Sequence, residues 1–591
     1  MRTSVHTLLA AILFVIVSAG LTSLAQQKSA TPAPSAEALS RLKTYQPVTS
    51  ERLKAPEDGN WLAVRRTYDG WGFSPLTQIA TANVAQLRRV WDLSTGEGSV
   101  HEAAPIVNNG VMFVSTPNNQ VLALDAKSGS VLWRYKRERP KDAFVLHQTN
   151  RGVALYGEKV FVTAGEAVLI ALDAKTGKEV WAKPVADNKS AYYTTLAPLV
   201  ADGKVMIGAS GGEFGVRGFV AAFDPNSGKE LWRTFMVPAP GEPGSETWPK
   251  GNQWQTGGAP VWVTGNYDPQ TNISYWGTGN GGPWMGDQRP GDNLYVASTV
   301  AIDVATGQIK GHFQYNPNES WDWDEVSPPL LIDYQRNGRT IKGLVNVARD
   351  GYLWFLERSS GPIKFVEGKP YVTQNVFKRL DPVTGKPEVD PVHKPGTDKE
   401  AEFCPGSHGG KNWPPIAFNP QTRMIYIPAN NNLCGALVGV PIEYSRGKSF
   451  SGTRRVGPGA FMAPGATHVG GEVQAWNVDT GMRVWTHEYP SSPNWGSMLA
   501  TAGGVVFSGG TNDKKVHAFD ATSGKLLWEA ETNSGIVAPP STFTVDRKQY
   551  LAVLSGWGGD VRGMNGGLNR LFPGKYPDPP EGGGIWVFAL P

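Results

Sequence analysis

The stretch VLALDAKSGSVLW, residues 121–133, contains the pattern that decides the fold: an apolar run, Asp125, then Gly129 and Trp133 at intervals of four. Aspartate is typical of the start of a turn, and glycine adopts the positive φ that a tight connection needs. The pattern therefore predicts two short strands joined as a hairpin, with the tryptophan packed between neighbouring units. Clear or degenerate copies follow at Asp173-Gly177-Trp181, Asp224-Gly228-Trp232, Asp303-Gly307, Glu357-Gly361-Phe365, Asn477-Gly481-Trp485 and Asp520-Gly524-Trp528.

The spacing of these copies predicts a β-propeller. Neighbouring copies lie 43 to 54 residues apart, which is the length of one four-stranded sheet. Two larger gaps, 79 residues before Asp303 and 120 before Asn477, predict long insertions and one unit without a recognisable turn between residues 381 and 430. We therefore predict an all-β fold, an eight-bladed β-propeller with long inter-strand loops, as a single domain over residues 45–591.

The N-terminal segment differs in character from the rest of the chain. Arg2 precedes an apolar run over residues 8–17 and a small-residue site at residues 23–25, which predicts a secretory signal peptide over residues 1–25. A membrane span needs about 20 apolar residues, and no segment supplies them, so we predict no membrane span. Residues 26–44 are predicted as a flexible lead-in. The signal peptide predicts a periplasmic protein.

Charge and cysteine content narrow the function classes. The net charge of +4 is too small to indicate a nucleic-acid partner. Two cysteines, Cys404 and Cys434, favour a disulfide in an oxidising compartment, with two free thiols as the alternative. The haem-attachment motif Cys-x-x-Cys-His does not occur in the sequence. If the protein is a redox enzyme, its electrons must therefore pass to a separate protein.

Four loop segments carry residues typical of a site rather than of a scaffold. They are SGGEFGVRG (210–218), WGTGNGGPW (276–284), ESWDWD (319–324) and RDGY (349–352). Within them Glu213, Asn280, Asp322 and Asp324 offer the hard oxygen donors that Ca²⁺ prefers. Loop Asp and Asn residues also form turns, so on spacing alone both interpretations stay open.

These segments resemble those of the pyrroloquinoline quinone (PQQ)-dependent alcohol dehydrogenases, the methanol/ethanol dehydrogenase family of eight-bladed propellers. The similarity runs from about Asn60 to the end of the chain, with several specific motifs in the same order. Besides the loops above, the motifs are FSPLTQI (73–79), HEAAP (101–105), NRG (150–152) and RPGDN (289–293).

The resemblance implies a metal site. Glu213, Asn280 and Asp322 match positions that surround the metal ion. Asp324, two residues after the implied catalytic aspartate, resembles the lanthanide-using branch of the family. A trivalent ion gains more from an added carboxylate than Ca²⁺ does, so the resemblance favours a lanthanide, with Ca²⁺ as the alternative. The Cys404–Cys434 pair also resembles a disulfide of the family.

The resemblance also implies a PQQ site, in which Trp262 matches the tryptophan on which the quinone stacks and Arg349 the positive partner of its reactive oxygens. The positions that it implies in cofactor binding are Glu102, Arg151, Thr195, Ser210, Gly211, Gly212, Trp262, Arg349, Asn412 and Trp413. The implied reaction oxidises an alcohol to an aldehyde by metal-assisted hydride transfer to the quinone. Asp322 and Arg349 are the implied catalytic residues, with Asp322 as the general base, and a soluble cytochrome c is the implied electron acceptor.

Three departures from the family pattern bear on the substrate. Val145 and Leu146 stand where methanol dehydrogenases have adjacent cysteines joined as a disulfide, and Pro260 stands where a threonine is usual. Residues 434–467, rich in Gly, Pro and Arg, have little to match in the family, and we expect them to shape the substrate mouth. A small alcohol is the expected substrate. A sugar or polyol dehydrogenase and a cofactor-free propeller scaffold are the alternatives, and a homodimer stays open.

Overall fold

The computed structural model describes residues 34–457 and 459–591. The predicted signal peptide lies outside the described residues, as does the first part of the predicted lead-in. The rest of the lead-in contains helix α1, Ala36–Lys43, so this part is helical. Arg41 of α1 forms an ion pair with Asp125, with 2.8 Å between Nε and Oδ1, which fixes the helix to the first sheet of the fold.

The described chain folds mainly into small sheets of antiparallel strands, which we number 1 to 8 in chain order. Sheet 1 contains Ile106–Asn108, Val111–Thr116, Gln120–Asp125 and Val131–Lys136; sheet 2 contains Ala154–Tyr156, Lys159–Ala164, Val168–Asp173 and Glu179–Pro184. Sheet 3 contains Leu199–Ala201, Lys204–Gly208, Phe219–Phe223 and Glu230–Phe235; sheet 4 contains Asn266–Asp268, Ile273–Gly277, Ser298–Asp303 and Ile309–Gln314.

The remaining sheets of this series follow the same plan. Sheet 5 contains Leu330–Leu331, Gly343–Val347, Tyr352–Arg358 and Ile363–Pro370; sheet 6 contains Ala417–Asn419, Met424–Asn431, Gly470–Asn477 and Met482–Tyr489. Sheet 7 contains Leu499–Thr501, Val505–Ser508, Lys515–Asp520 and Leu526–Glu531, with Phe73–Ser74 parallel at its edge. Sheet 8 contains Ser541–Val545, Lys548–Ser555, Gly584–Ala589 and, from the other end of the chain, Arg88–Ser94.

Smaller elements lie between these sheets. Two-stranded hairpins join Tyr334–Arg336 to Arg339–Ile341 and Phe377–Leu380 to Pro387–Val389. An additional sheet, here called the insertion sheet, contains Glu400–Phe403, Leu433–Gly439, Thr453–Arg455 and Phe461–Met462. The other α-helices are α2, Ser50–Lys54, and α3, Asp560–Leu571. Short 3₁₀ turns cover Val84–Gln86, Asn188–Ser190, Gly212–Phe214, Ser245–Thr247, Gln253–Thr256, Gly286–Gln288 and Pro391–His393. No helix in the described part of the chain is long and apolar enough to cross a membrane.

The repeated Asp-Gly-Trp pattern forms the predicted hairpin turn, which joins the third and fourth strands of a sheet. In sheet 2, Asp173 accepts hydrogen bonds at Oδ1 from the backbone and hydroxyl of Thr176, at 2.8 and 2.7 Å. The turn closes when Gly177, at φ 70°, donates its N–H to the Asp173 carbonyl at 2.8 Å. These bonds satisfy the polar backbone of the turn, and only glycine adopts this φ without strain.

The tryptophans join neighbouring sheets, as the sequence predicts. Trp133 of sheet 1 donates its indole N–H to the Ala174 carbonyl of sheet 2 at 2.9 Å, and its rings lie against Gly177. Similar indole-to-carbonyl bonds, 3.1 to 3.3 Å long, run from Trp91 to Ala126, Trp181 to Pro225, Trp232 to Val304 and Trp485 to Ala521. Each turn therefore also serves as the docking site for the sheet before it.

The prediction of an unmarked unit between residues 381 and 430 is wrong. This segment contains the 377–389 hairpin, the first strand of the insertion sheet and the first two strands of sheet 6. The sheet without the marked turn is sheet 8. Its third and fourth strands come from opposite ends of the chain, so no turn joins them.

The predicted disulfide is present. Cys404 and Cys434 are joined by an S–S bond of 1.97 Å that connects two neighbouring strands of the insertion sheet. Both cysteines are buried. The bond therefore fixes the base of the segment that we expected to shape the substrate mouth.

Candidate active site

Loops from several sheets enclose a cavity of about 360 Å³. Arg151 and Thr195 precede the first strands of sheets 2 and 3, and Asp322 and Asp324 lie between sheets 4 and 5. Residues far apart in sequence thus meet at one place. The predicted site residues that line the cavity are Arg151, Thr195, Ser210, Gly211, Gly212, Glu213, Trp262, Asp322, Asp324, Arg349 and Asn412.

The other three predicted residues, Glu102, Asn280 and Trp413, lie behind this lining and contact it. Glu102 forms an ion pair with Arg151, with 2.9 Å between its Oε2 and Nη2. The backbone N–H of Asn280 donates to Asp324. Trp413 packs against the guanidinium of Arg151, whose Cζ lies 4.6 Å from the ring centroid. The structure therefore brings the whole predicted set together.

Arg151 contacts two aromatic rings at one side of the cavity. Its Cζ lies 4.7 Å from the ring centroid of Trp262 and 4.6 Å from that of Trp413. Its guanidinium also donates to Thr195 Oγ1 at 2.5 Å. Thr195 in turn lies 3.2 Å from the hydroxyl of Ser210. Arginine stacks on aromatic rings and binds carboxylates, so this wall suits a flat, anionic ligand.

Carboxylates are crowded at another side of the cavity. Glu213 and Asp322 are half-buried and Asp324 is buried. Burial, reinforced by the nearby charge of Asp324, raises the pKa of Glu213 to about 6 and the pKa of Asp322 well above its usual range. Burial likewise raises the pKa of Asp324, although Arg349 opposes the shift. Three acids that destabilise one another in this way need a cation to remain ionised together.

Asn280 completes a set of oxygen donors that fits a cation. Its side chain is fully buried, and its Oδ1 has no hydrogen-bond partner among the described residues. A buried amide oxygen without a partner is unfavourable unless a ligand binds it. With the oxygens of Glu213, Asp322 and Asp324, it provides the hard donors that Ca²⁺ and similar ions prefer.

Asp324 also holds other site residues in place. One of its oxygens accepts from the backbone of Asn280, and the other accepts from Trp262 Nε1 at 3.1 Å. The second oxygen lies 3.6 Å from Arg349 Nη2. Asp324 therefore links the acidic cluster to the aromatic wall and to the neighbouring arginine.

Arg349 lies in the turn between the second and third strands of sheet 5 and contacts the acidic cluster. It donates to the Asp322 carbonyl at 3.1 Å and to Asn412 Oδ1 at 3.2 Å. Its own backbone N–H donates to Glu325 Oε2 at 2.8 Å.

The backbone of Asp322 lies in the left-handed region at φ 66°. This conformation costs a non-glycine residue about 1 kcal/mol or more and is common at functional sites.

The departures from the family pattern also lie at the cavity. Leu146 and Pro260 both line it, and Leu146 remains 43% exposed at its mouth. An apolar side chain therefore stands near the position of the family's vicinal disulfide. Leu146 therefore adds an apolar surface to the entrance of the cavity.

Five residues of the 434–467 segment line the cavity: Leu437, Ser451, Thr453, Arg454 and Arg455. The Phe450 N–H donates to the Glu213 carbonyl at 2.6 Å, and the Trp284 N–H donates to the Ser451 carbonyl at 2.9 Å. Arg446 reaches across to Ser190, with 2.8 Å between Nε and Oγ. The segment therefore spans from the disulfide to the loop between sheets 2 and 3.

Several lining residues had no sequence signal of their own. They are His147, Tyr193, Ser407, His408 and Asp560. Six further lining residues were indicated only as members of a segment: Trp284 in WGTGNGGPW (276–284), and Leu437, Ser451, Thr453, Arg454 and Arg455 in residues 434–467. Glu325, which positions Arg349 from outside the cavity, was also missed. Proximity to a recognised motif was the one available signal, since His147 lies close to NRG (150–152) and Glu325 directly follows ESWDWD (319–324).

Comparison with known proteins identifies the family of this site. The model of the PQQ glucose/ethanol/alcohol dehydrogenase β-propeller domain matches residues 61–384 and 488–551. Quinoprotein alcohol dehydrogenase PedH of Pseudomonas putida is 36% identical over 549 residues, covering 88% of this chain and 89% of the relative. The chain belongs to the PQQ-dependent quinoprotein alcohol dehydrogenases. The chain is also 34% identical to the quinoprotein ethanol dehydrogenase of Pseudomonas aeruginosa, and the match covers 88% of each protein.

A solved structure agrees with this assignment. A europium-containing methanol dehydrogenase superposes on the dehydrogenase with a TM-score of 0.85 and 34% identity, covering 91% of this chain and 99% of that one. Both the all-β propeller fold and the enzyme class predicted from the sequence are thus confirmed. The scaffold alternative loses its support.

Proposed function

We propose that the protein is a periplasmic dehydrogenase that oxidises an alcohol to an aldehyde with PQQ and a bound cation, and passes the electrons to a separate soluble cytochrome c. The observation that carries the proposal is the meeting of the acidic cluster, the Trp262 face and Arg349 in one cavity. PQQ and its cation, when bound, supply the two-electron acceptor and a Lewis acid.

The same cavity suggests how both groups would be held. Glu213, Asn280, Asp322 and Asp324 would bind the cation through oxygen. The Trp262 face would stack on PQQ, while arginine and hydroxyl groups would bind its carboxylates and edge. The full set proposed to bind PQQ is Glu102, Arg151, Thr195, Ser210, Gly211, Gly212, Trp262, Arg349, Asn412 and Trp413.

Asp322 is the proposed general base. Its carboxylate belongs to a cavity-lining cluster, and burial together with Asp324 raises its pKa, which makes it a better proton acceptor once it is ionised. Arg349 favours the ionised form through its positive charge. Asp322 would take the hydroxyl proton of the alcohol, while Arg349 would stabilise negative charge that develops beside it.

We propose a lanthanide rather than Ca²⁺ as the bound ion. Asp324 adds a third carboxylate to the set, and a trivalent cation gains more from it than a divalent one does. The similarity to a europium-containing methanol dehydrogenase supports this choice.

We also propose that sheets 1 to 8 are eight blades of one closed propeller. Sheet 8 supports this proposal because it pairs Arg88–Ser94 with Gly584–Ala589. Its Trp91 bonds to Ala126 of sheet 1, and its Phe588 lies 5.3 Å from Trp528 of sheet 7, measured between ring centroids. Sheet 8 would thus connect sheet 1 to sheet 7.

Reconstitution of the purified apoprotein tests the proposed activity. With PQQ and either La³⁺ or Ca²⁺, we expect an artificial dye to be reduced when a primary alcohol is added, and not when quinone or metal is omitted. Failure of both ions to support quinone binding or dye reduction would refute the proposal. A strong preference for aldoses in a substrate panel would favour the sugar dehydrogenase alternative.

Asp322→Asn tests the proposed base. We expect turnover to fall by about 10²–10⁴-fold, the usual contribution of a general base, while the thermal unfolding midpoint stays close to that of the wild type. Asp58→Asn is the matched control, because Asp58 is an exposed aspartate that does not line the cavity. An active Asp322→Asn enzyme would contradict the assignment.

A further inference from the structure

Two adjacent arginines lie on the wall of the active-site cavity. Arg454 and Arg455 belong to the insertion-sheet strand Thr453–Arg455, and both line the cavity and are exposed. Among residues 34–457 and 459–591, neither guanidinium has a hydrogen-bond acceptor or an acidic partner. Two adjacent exposed guanidiniums that make no ion pair with the described residues are available to an anion that enters the cavity.

The inner arginines of the cavity are already engaged. Arg151 is buried and bonds to Glu102 and Thr195. Arg349 is buried and bonds to the Asp322 carbonyl and Asn412. The cationic groups proposed for the cofactor therefore lie inside, next to the Trp262 face. Arg454 and Arg455, in contrast, are exposed and belong to the insertion sheet.

The surroundings of the pair suit a small organic anion. Leu146, Trp284 and Leu437 line the same cavity and offer apolar surface for a carbon chain. His408 does not add a positive charge at neutral pH, because burial, with a contribution from Arg455, lowers its pKa to about 4. Arginine binds carboxylates through two parallel N–H groups, which gives directional recognition as well as charge.

We propose that the substrate alcohol carries a carboxylate, and that Arg454 and Arg455 bind this group while the hydroxyl reaches Asp322. This inference rests on the proposed function and specifies its substrate class as hydroxy acids with a primary alcohol. In the reaction the O–H and one C–H bond of the CH₂OH group break and a C=O bond forms. The hydroxyl proton goes to Asp322, and the carbon-bound hydrogen leaves with the electron pair that reduces the quinone.

A matched pair of substrates tests this inference on the reconstituted holoenzyme. We compare kcat/KM for 4-hydroxybutanoate with kcat/KM for 1-butanol, which has a methyl group in place of the carboxylate. The expected ratio is above one for the wild type and falls about tenfold or more in Arg454→Gln/Arg455→Gln, the usual loss when a charge-assisted bond is removed. Arg547→Gln is the control, because Arg547 is an exposed arginine away from the cavity, and we expect it to keep the wild-type ratio.

Inhibition provides a readout that does not depend on oxidation of the anion. Butanoate, which lacks the hydroxyl, is expected to compete with 1-butanol in the wild type and about tenfold more weakly in the double variant, whereas neutral butanamide should not compete. The single variant Arg454→Gln is expected to be intermediate. Because the wild-type comparison of butanoate with butanamide needs no substitution, poor folding of a variant would leave this test intact.

The outcomes separate this inference from the proposed function. If 1-butanol is oxidised but the carboxylate gives no advantage and butanoate does not inhibit, the substrate inference is wrong and the dehydrogenase stands. If no alcohol is oxidised, the proposed function itself fails. If the double variant instead binds PQQ more weakly, as measured by quenching of tryptophan fluorescence, the arginines hold the cofactor and the inference is overturned. A loss confined to a protein electron acceptor, with the dye reaction intact, would overturn it in favour of a docking role.

Discussion

At the scale of single residues, Asp324 connects the two halves of the site. Its oxygens accept from Trp262 and from the backbone of Asn280, and it lies beside Arg349. A carboxylate with these contacts is fixed in position before any cation arrives. Pre-positioned oxygen ligands bind with less loss of side-chain entropy, so this residue is well placed to influence which ion is bound.

Asp324→Asn should weaken the preference for a trivalent ion. The amide keeps the size of the side chain and can still accept a hydrogen bond, but it removes one negative charge from the donor set. We expect the apparent affinity for La³⁺ to fall more than that for Ca²⁺, by about tenfold in their ratio. Metal titrations of the apoprotein by calorimetry measure both affinities. An unchanged ratio would show that Asp324 acts only through its contacts with the protein.

At the scale of elements, the Asp-Gly-Trp turn both closes a hairpin and holds the preceding sheet. A Cβ at Gly177 would lie 2.6 Å from a ring carbon of Trp133, far closer than carbon atoms pack. Gly338, in the turn of a two-stranded hairpin, has a similar φ of 73° but nothing within 4 Å of such a Cβ. The two glycines therefore separate backbone strain from packing between sheets.

Gly177→Ala is expected to lower the free energy of unfolding more than Gly338→Ala. Both substitutions cost about 1 kcal/mol because alanine resists positive φ, and Gly177→Ala adds about 1–3 kcal/mol from overpacking against Trp133. Thermal unfolding midpoints of the two variants compare the effects under the same conditions. Equal midpoints would mean that Trp133 moves aside without loss, and that the turn does not hold the sheets together.

These elements also show what the sequence can and cannot predict. Turn chemistry is local, so Asp173, Gly177 and Trp181 were sufficient to predict a hairpin and its interval. The fourth strand of sheet 8 was not predictable from the same pattern, because Ser94 pairs with Gly584, which lies 490 positions later. Site residues within family motifs were found one by one. For Arg454 and Arg455 the sequence indicated only the 434–467 segment, because folding of the insertion sheet decides which of its side chains reach the cavity.

At the scale of the whole molecule, sheet 8 joins strands that lie far apart in the sequence, Arg88–Ser94 and Gly584–Ala589. His101 lies there, fully buried, with its ring 2.7 Å from the Thr95 hydroxyl and its backbone N–H bonded to the Gly556 carbonyl. Thr95 directly follows the strand Arg88–Ser94, and Gly556 directly follows the strand Lys548–Ser555 of the same sheet. A charge on His101 would therefore form at the junction of the two ends.

Acid is expected to weaken this junction. Burial lowers the pKa of His101 from 6.5 to about 4, so the folded state keeps the ring neutral while the unfolded state takes up a proton. The contribution of neutral His101 to the free energy of unfolding is complete above pH 6.5. This contribution is lost as the pH falls from 6.5 to 4, by about 3 kcal/mol in total. His101→Gln should be less stable at pH 7 and lose less stability on acidification. Unfolding midpoints at pH 7 and pH 4.5 measure this, and parallel losses in both proteins would exclude His101 as a cause.

Sheet 8 has a consequence for biosynthesis. Residues 88–94 are synthesised long before their partner strand, residues 584–589, because nearly the whole chain lies between them. Until residues 584–589 are also present, sheet 8 cannot form, and the strand at residues 88–94 presents unsatisfied backbone groups to any neighbouring chain. Premature termination at any point before residue 584 would leave this edge open. Completion of sheet 8 therefore requires that nearly all of the sequence between its two partner strands has already been synthesised.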